Sequence, residues 1–255
     1  MNKHYISATV ITRNEERDIE RCLNSLIGVA DEIVVVDSHS DDATVDICRR
    51  YGAKVTQRPF AGYGSQRQYA ATVANGNYVL SIDADEVLSD ELRENLIALK
   101  SRGFEHRMYR FRVVNYMCGR PMRHCGLEPA EQIRLFDKRY ANWDLLDVGE
   151  RLSYPAGVMP ALVEGSMHHY RCATFGEYEA KELRHAALRA RLMAAAGIKA
   201  SAPMCWLRAF SAFVSCHLLD GAILEGSAGR HIAATRFKST LEAYRAAARL
   251  AATKH

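Results

Sequence analysis

At 255 residues, with 48% hydrophobic and 25% charged side chains, the chain can bury the core of one large α/β domain, or of a domain with an appendage. A net charge of +4 excludes the strongly basic signature of a nucleic-acid binder, and no nucleic-acid partner is expected; an anionic ligand or membrane surface stays admissible. The seven cysteines form no CxxC pair and no zinc-like spacing, and the first residues lack an apolar signal-peptide core, so the sequence predicts reduced thiols and a cytoplasmic location.

The run ISATVIT (6–12) is β-branched and reads as a strand that meets polar TRNEE. In ERDIERCLNSLIGV, apolar Ile19, Cys22, Leu23, Leu26 and Ile27 fall on one helical face. EIVVVD (32–37) predicts a second strand, bounded by SHSDDAT, and VDICRRYG a helix stopped by Gly52. KVTQRP is a short strand, QRQYAATVANG a helix, YVLSID (78–83) a strand and VLSDELRENLIAL a helix. EIVVVD and YVLSID are nearly continuous apolar runs, as in strands covered by helices on both faces. The fold class predicted is α/β, with a central, mostly parallel sheet flanked by helices.

Beyond Phe104 the texture changes: MYRFRVVNYMCG and EQIRLFDKR read as antiparallel strands, and from Phe175 the chain is strongly helical. The predicted organisation is a catalytic domain over 1–174, with a nucleotide-binding half to about 103 and an acceptor half over 104–174, and a helical extension over 175–255 packed on it. AFSAFVSCHLL is too short an apolar run to span a bilayer, but the basic, amphipathic tail suits either a docked helix or one peripheral on a cytoplasmic membrane surface.

In a sheet of this kind ligands bind at the carboxyl ends of the strands, where the polar clusters TRNEE, DSHSDD and DADE fall. In extended geometry Asp83 and Asp85 point the same way and can share a divalent ion; oxygen ligands favour Mg²⁺ or Mn²⁺, whose shell is completed by water and phosphate oxygens. Glu86 points away from that pair and starts or caps the following helix. Asp37 either meets a pyrimidine base or caps the next helix, while the backbone near Thr12 and Asn14 frames base and ribose. Gly62 and Gly64 permit close backbone approach ahead of Gln66 and Arg67, and Arg67 suits a base or diphosphate.

The runs VITRNEERDIERCLNSL, EIVVVDSHSDDAT, GYGSQRQYA and YVLSIDADEVLS together resemble the inverting family 2 glycosyltransferases of GT-A fold. The resemblance is to the branch that contains the lipopolysaccharide inner-core β-1,4-glucosyltransferases, and it continues through NYMCGRPMRHCG, EPAEQIRLFDKR, DVGERL and HHYRCATFGEYEAKELRHAA. It implies an enzyme that uses Mg²⁺ or Mn²⁺ and a UDP-sugar donor to glycosylate a saccharide or glycolipid. Thr12, Asn14, Glu15, Asp37, Gln66, Arg67, Asp83 and Arg134 would bind the sugar nucleotide, and Asp83, Asp85 and His169 the metal. Two departures stand out: Pro129-Ala130 where the branch commonly has Pro-Asp, and Val148-Gly149-Glu150 where it has Val-His-Glu.

An inverting transfer needs a carboxylate to take the acceptor's proton. Among Glu128, Glu131, Asp147 and Glu150, Glu150 matches the branch motif and is the base candidate, with Glu131 the alternative. Two other readings of the same features are a nucleotidyltransferase and a degenerate sugar-nucleotide-binding protein; the sequence names neither the donor sugar nor the acceptor.

Overall fold

The computed structural model describes residues 5–145, 149–198 and 200–252, and divides into two compact units: residues 1–114 with 130–169, and residues 115–129 with 170–255. The sequence predicts one division, after 174; by contacts the chain passes between the units three times, and 115–129 belongs with the C-terminal helices.

In the first unit β1 (Ile6–Thr12), α1 (Ile19–Leu26), β2 (Glu32–Asp37), α2 (Thr44–Arg50), β3 (Lys54–Gln57), α3 (Tyr63–Val73) and β4 (Tyr78–Asp83) alternate strand and helix. β5 (Glu86–Leu88) and α4 (Asp90–Arg102) follow, then β6 (Met108–Met117), which ends in the second unit beside β7 (Arg120–Pro121). β8 (Ala130–Asp137), β9 (Asn142–Trp143), β10 (Leu152–Ser153) and β11 (Ala161–Cys172) complete the strands.

The main sheet runs β3-β2-β1-β4-β8-β6-β11-β5. β3, β2, β1 and β4 are parallel, and β8, β6 and β5 join antiparallel to their neighbours. The chain steps outward from β1 to β3 and then returns to place β4 on the other side of β1, so the strand order switches there and opens a crevice at the carboxyl ends. Ile6, Ala8 and Val10 of β1 are fully buried, and Ile19, Cys22, Leu23 and Leu26 of α1 lie in the same core. Burial of each such side chain contributes about 1.5–3 kcal/mol, which outweighs the weak intrinsic propensity of an eight-residue helix.

The predicted helix beginning at Val87 starts later. Residues 86–88 instead form β5, which pairs with β11 through Glu86↔His169, Val87↔His168 and Leu88↔Met167. Ser89 caps α4, its Oγ accepting from Leu92 N at 3.2 Å, with Asp90 and Glu91 in the first turn to complement the dipole. β11 passes so close to this helix start that a Cβ on Gly165, at φ +99°, would lie 2.5 Å from Leu92 N.

The second unit is mostly helical: α5 (Phe175–Ala195), α6 (Ala202–Val214), a π-helical turn (Ser215–Leu219), a 3₁₀ turn (Ala222–Glu225) and α7 (Gly226–Ala252). Thr174 caps α5, accepting from Glu177 N, while Glu177 accepts from Ala173 N. The apolar run expected to be short continues from α6 through the π turn. Ala202–Leu219 is thus a helical stretch of 18 residues, mean hydropathy 1.2, long and apolar enough by length and composition to cross a membrane.

Candidate active site

The parallel register brings the polar strand ends together, with Thr12 opposite Asp37 and Ile11 opposite Asp83. After β4 the chain turns at Ala84 and Asp85 into β5, which sets Glu86 across from His169. β8 lies beside β4, and its Arg134 follows directly on the Leu80↔Leu135 pair. The outcome is one charged cluster at the crevice, built from β4, β5, β8, β11, α3 and the loop at Glu150.

Arg67 is its hub. Its Nη2 donates to Asp83 Oδ1 at 2.6 Å, its Nε to Glu150 Oε1 at 2.9 Å and its Nη1 to Ser81 Oγ at 3.3 Å, and its guanidinium lies 5.2 Å from the ring of Trp143. Arg134 donates to Glu86 Oε1 at 2.5 Å and comes within 3.8 Å of Asp83 Oδ2. His169 Nε2 stands 3.3 Å from Asp85 Oδ2, and its Nδ1 3.8 Å from Glu86 Oε1. Burial alone would raise Asp83, but Arg67 and then Arg134 outweigh it and hold that carboxyl below the ordinary aspartate value. Arg67, though buried, is pushed above its usual value by Asp83 and Glu150.

Glu86 corrects the sequence reading. It neither points away nor caps a helix: it is fully buried, accepts from Asp83 N at 2.8 Å and anchors Arg134. Burial pushes its carboxyl above the usual glutamate value, against the pull of Arg134. The alternation that placed it on the far side held only for a continuous strand, and the turn at Ala84 and Asp85 resets it.

The other expected residues divide. Gln66 is buried beside Arg67, donating to Ser38 Oγ at 2.9 Å. Asp37 sits at its strand end but is fully buried and enclosed: Ser40 N and Oγ and Gln57 Nε2 all donate to it at 2.5–2.9 Å. It is not the N-cap of α2, since Thr44 N is met by Asp42 at 2.9 Å. Asn14 and Glu15 tie the first loop to the second: Asn14 N donates to Ser40 Oγ, Asp41 N to Asn14 Oδ1 and Glu15 N to Thr44 Oγ1. Glu131 pairs with Arg110 at 2.6 Å at a half-exposed position, apart from the bonds that knit the cluster. Asp147 and Val148 lie outside the described residues, and Glu128 belongs to the second unit. Ser81 and Trp143 were missed: Ser81 shares a strand face with Asp83 and was legible, whereas nothing in the sequence linked Trp143 to Arg67.

Among the described residues no three His, Cys, Asp or Glu side chains form a ready metal cage. The donor set nonetheless fits Mg²⁺ or Mn²⁺. Asp85 and His169 offer an oxygen and a nitrogen 3.3 Å apart, and such ions take few protein ligands and fill the remainder with water and phosphate. The charge balance agrees: Asp83, Asp85, Glu86 and Glu150 face two guanidiniums, those of Arg67 and Arg134, leaving an excess of negative charge for a cation to offset. The same field is felt at Cys22, whose thiol is pushed well up by burial and then by Glu86, Asp85 and Asp83. Asp83 is bonded to Arg67, while Asp85 lies beside His169. At the cluster and the strand ends beside it, four buried polar atoms have no hydrogen-bond partner: Thr12 Oγ1, Gln66 Oε1, Arg134 Nε and Trp143 Nε1.

The model of the glycosyl transferase family 2 domain matches residues 7–159, which hold every residue of this cluster except His169. The chain belongs to glycosyltransferase family 2. Its parallel-then-mixed sheet flanked by helices is accordingly the GT-A fold. Among family 2 relatives, the chain is 30% identical over 190 residues to the lipopolysaccharide core biosynthesis glycosyltransferase LpsC of Rhizobium meliloti, covering 72% of this chain and 70% of that one. It is 48% identical over 91 residues to a glycosyltransferase of Rickettsia bellii, covering 36% of this chain but 31% of that protein, so it spans less than half the length of such relatives. A solved structure of Staphylococcus aureus TarS residues 1–349, in complex with UDP-GlcNAc, aligns at 30% identity over 44% of this chain and 35% of that one, with a TM-score of 0.36. A superposition that loose carries nothing about the site.

Proposed function

We propose that this family 2 glycosyltransferase moves a hexose, with glucose the foremost candidate, from a UDP-sugar to a saccharide or glycolipid acceptor with inversion. The process it would serve is cell-envelope polysaccharide or lipopolysaccharide core assembly, in keeping with the name of the R. meliloti relative. The observation that carries the reading is the placement of Arg67 between Asp83 and Glu150, beside the Asp85–His169 pair, at the carboxyl ends of the parallel strands.

Asp85 and His169 would hold Mg²⁺ or Mn²⁺. When bound, that ion supplies positive charge against the leaving diphosphate. Arg67 and Arg134 are buried guanidiniums held in place by Asp83, Glu150 and Glu86, so they meet developing negative charge without reorganising. Gln66 and Thr12 hold unpartnered oxygens just beneath the strand ends, where a small side-chain shift would let them accept from a nucleoside. Glu150 is oriented by Arg67 through Oε1 and is the base: it takes the proton of the acceptor hydroxyl as that oxygen attacks the anomeric carbon in line and the bond to UDP breaks. Glu131 would have to leave Arg110 to serve instead.

The test is incubation with a panel of UDP-hexoses and Mn²⁺, scoring UDP release and, with an oligosaccharide acceptor, the anomeric configuration of the product by NMR. The proposal expects UDP and an inverted linkage. Release of hexose 1-phosphate would instead mark a nucleotidyltransferase, which cleaves the donor between its two phosphorus atoms, and binding without UDP release a degenerate binding protein.

A further inference from the structure

The second unit carries an apolar ridge that the transfer reaction does not use. Trp206, Leu207, Phe210, Leu218, Leu219 and Leu224 are 52–83% exposed along α6, the π turn and the 3₁₀ turn. Single exposed apolar side chains need no explanation, but six large ones within 19 residues form a patch. The same helix is anchored on its other side: Cys205 and Ala209 pack with Leu241 of α7, and Cys216 with Ala222, Ile232 and Ala233. A bilayer-spanning orientation of Ala202–Leu219 would strip away that packing, whereas a helix lying in the plane of an interface keeps it.

Charge selects what covers the ridge. The unit that bears it holds 15 Lys and Arg against 7 Asp and Glu, a net of +8; the unit with the active-site cluster holds 19 against 23, a net of −4. The ridge helix contains Arg208 and no acid from Ala202 to Leu219, and Arg245 of α7 lies 5.5 Å from the Trp206 ring. α7 adds Arg230, while its Arg236, Lys238 and Arg249 are paired with Asp220, Glu179 and Glu242. An apolar face with an indole, set in a cationic unit, has the chemistry of an anionic lipid interface: the side chains enter the acyl boundary, Trp sits at headgroup level and the cations meet phosphate. A second copy docked ridge to ridge would set +8 against +8, a repulsion that an anionic bilayer does not meet.

We propose that this ridge docks the protein peripherally on an anionic bilayer, with α6 lying in the interface. The inference does not depend on the transferase reading, because binding is measured without donor or acceptor. The experiment is cosedimentation of the full chain with sucrose-loaded phosphatidylcholine vesicles, with and without roughly a third phosphatidylglycerol. Binding is expected only to the anionic vesicles, falling as salt rises and weakened about tenfold or more in the double variant Leu218→Glu, Leu219→Glu. Should that variant fail to fold, the wild-type protein still decides: its tryptophan emission shifts to the blue on adding anionic vesicles, and Trp206→Phe removes the shift. Failure to sediment with anionic vesicles at low salt, or binding untouched by the double variant, overturns the proposal. So does light scattering that finds a dimer which the double variant splits, since a second copy would then cover the ridge.

Discussion

Arg67 donates to Asp83 across 2.6 Å, and both side chains are largely withdrawn from water. A lysine reaching the same carboxylate could not also hold Glu150 and Ser81, because those bonds use three separate nitrogens of one planar fork. Through this single side chain α3 is connected to the end of the strand that carries Asp83 and to the loop that carries Glu150.

Arg67→Lys is therefore expected to keep the fold and lose about 10²-fold in kcat/KM, with most of the loss in kcat. Steady-state rates of UDP release, set beside a thermal melt, check this. A drop in melting temperature with unaltered turnover would make Arg67 a structural residue only.

Glu150→Gln preserves size and the contact with Arg67 but removes the proton acceptor. UDP-sugar binding by calorimetry should stay within a few-fold of wild type while transfer falls by about 10²–10⁴-fold. Near-normal transfer would shift the base to Glu131.

At the opposite end of the sheet Glu32 is a structural carboxylate, bonded to Ser7 Oγ, Lys54 Nζ and both nitrogens of Asn75. Burial would raise its pKa, but those bonds more than compensate and hold it below the ordinary glutamate value. A lowered native pKa means that the stabilisation is present above the unfolded value, about 4.3, and drains away as pH falls through and below it. Glu32→Gln should cost about 1–3 kcal/mol near neutrality and flatten the acid limb of stability against pH. Urea titrations at several pH values measure both; an unchanged acid limb would contradict the assignment.

Gly165 sits where β11 crosses the start of α4, at a φ that L side chains rarely adopt and with backbone 2.5 Å from where a Cβ would stand. Gly165→Ala should destabilise the protein by about 2–4 kcal/mol, read as a lowered urea midpoint at unchanged m-value. Since β11 carries His169 four residues on, metal affinity should weaken in parallel.

Much of this was legible from local pattern. ISATVIT, EIVVVD and YVLSID are apolar enough to force buried strands, and parallel strands deliver their terminal Thr12, Asp37 and Asp83 to one edge whatever the remaining fold. What local pattern does not carry is distance in three dimensions. The alternation misplaces Glu86 because a two-residue turn breaks the strand between it and Asp83. Asp37 reads as an open ligand until Ser40 and Gln57, one of them on a neighbouring strand, close over it. That Arg67 meets Glu150, 83 residues away, and that His169 faces Asp85 depend on long-range pairing that no short motif encodes. The exposure of Trp206 and Leu219 likewise follows from which face of α6 meets α7, which hydrophobic spacing alone left open.

The central claim is that Asp85 and His169 hold a divalent ion for a UDP-sugar beside Arg67. Calorimetric titration of UDP-glucose with Mn²⁺ or with chelator, on wild type, Asp85→Asn and His169→Ala, tests it most directly. Binding should require Mn²⁺ in the wild type, vanish in Asp85→Asn and weaken about 10- to 100-fold in His169→Ala, with all three proteins melting alike. Equal affinity in chelator, or full Mn²⁺-dependent affinity in Asp85→Asn, would contradict it.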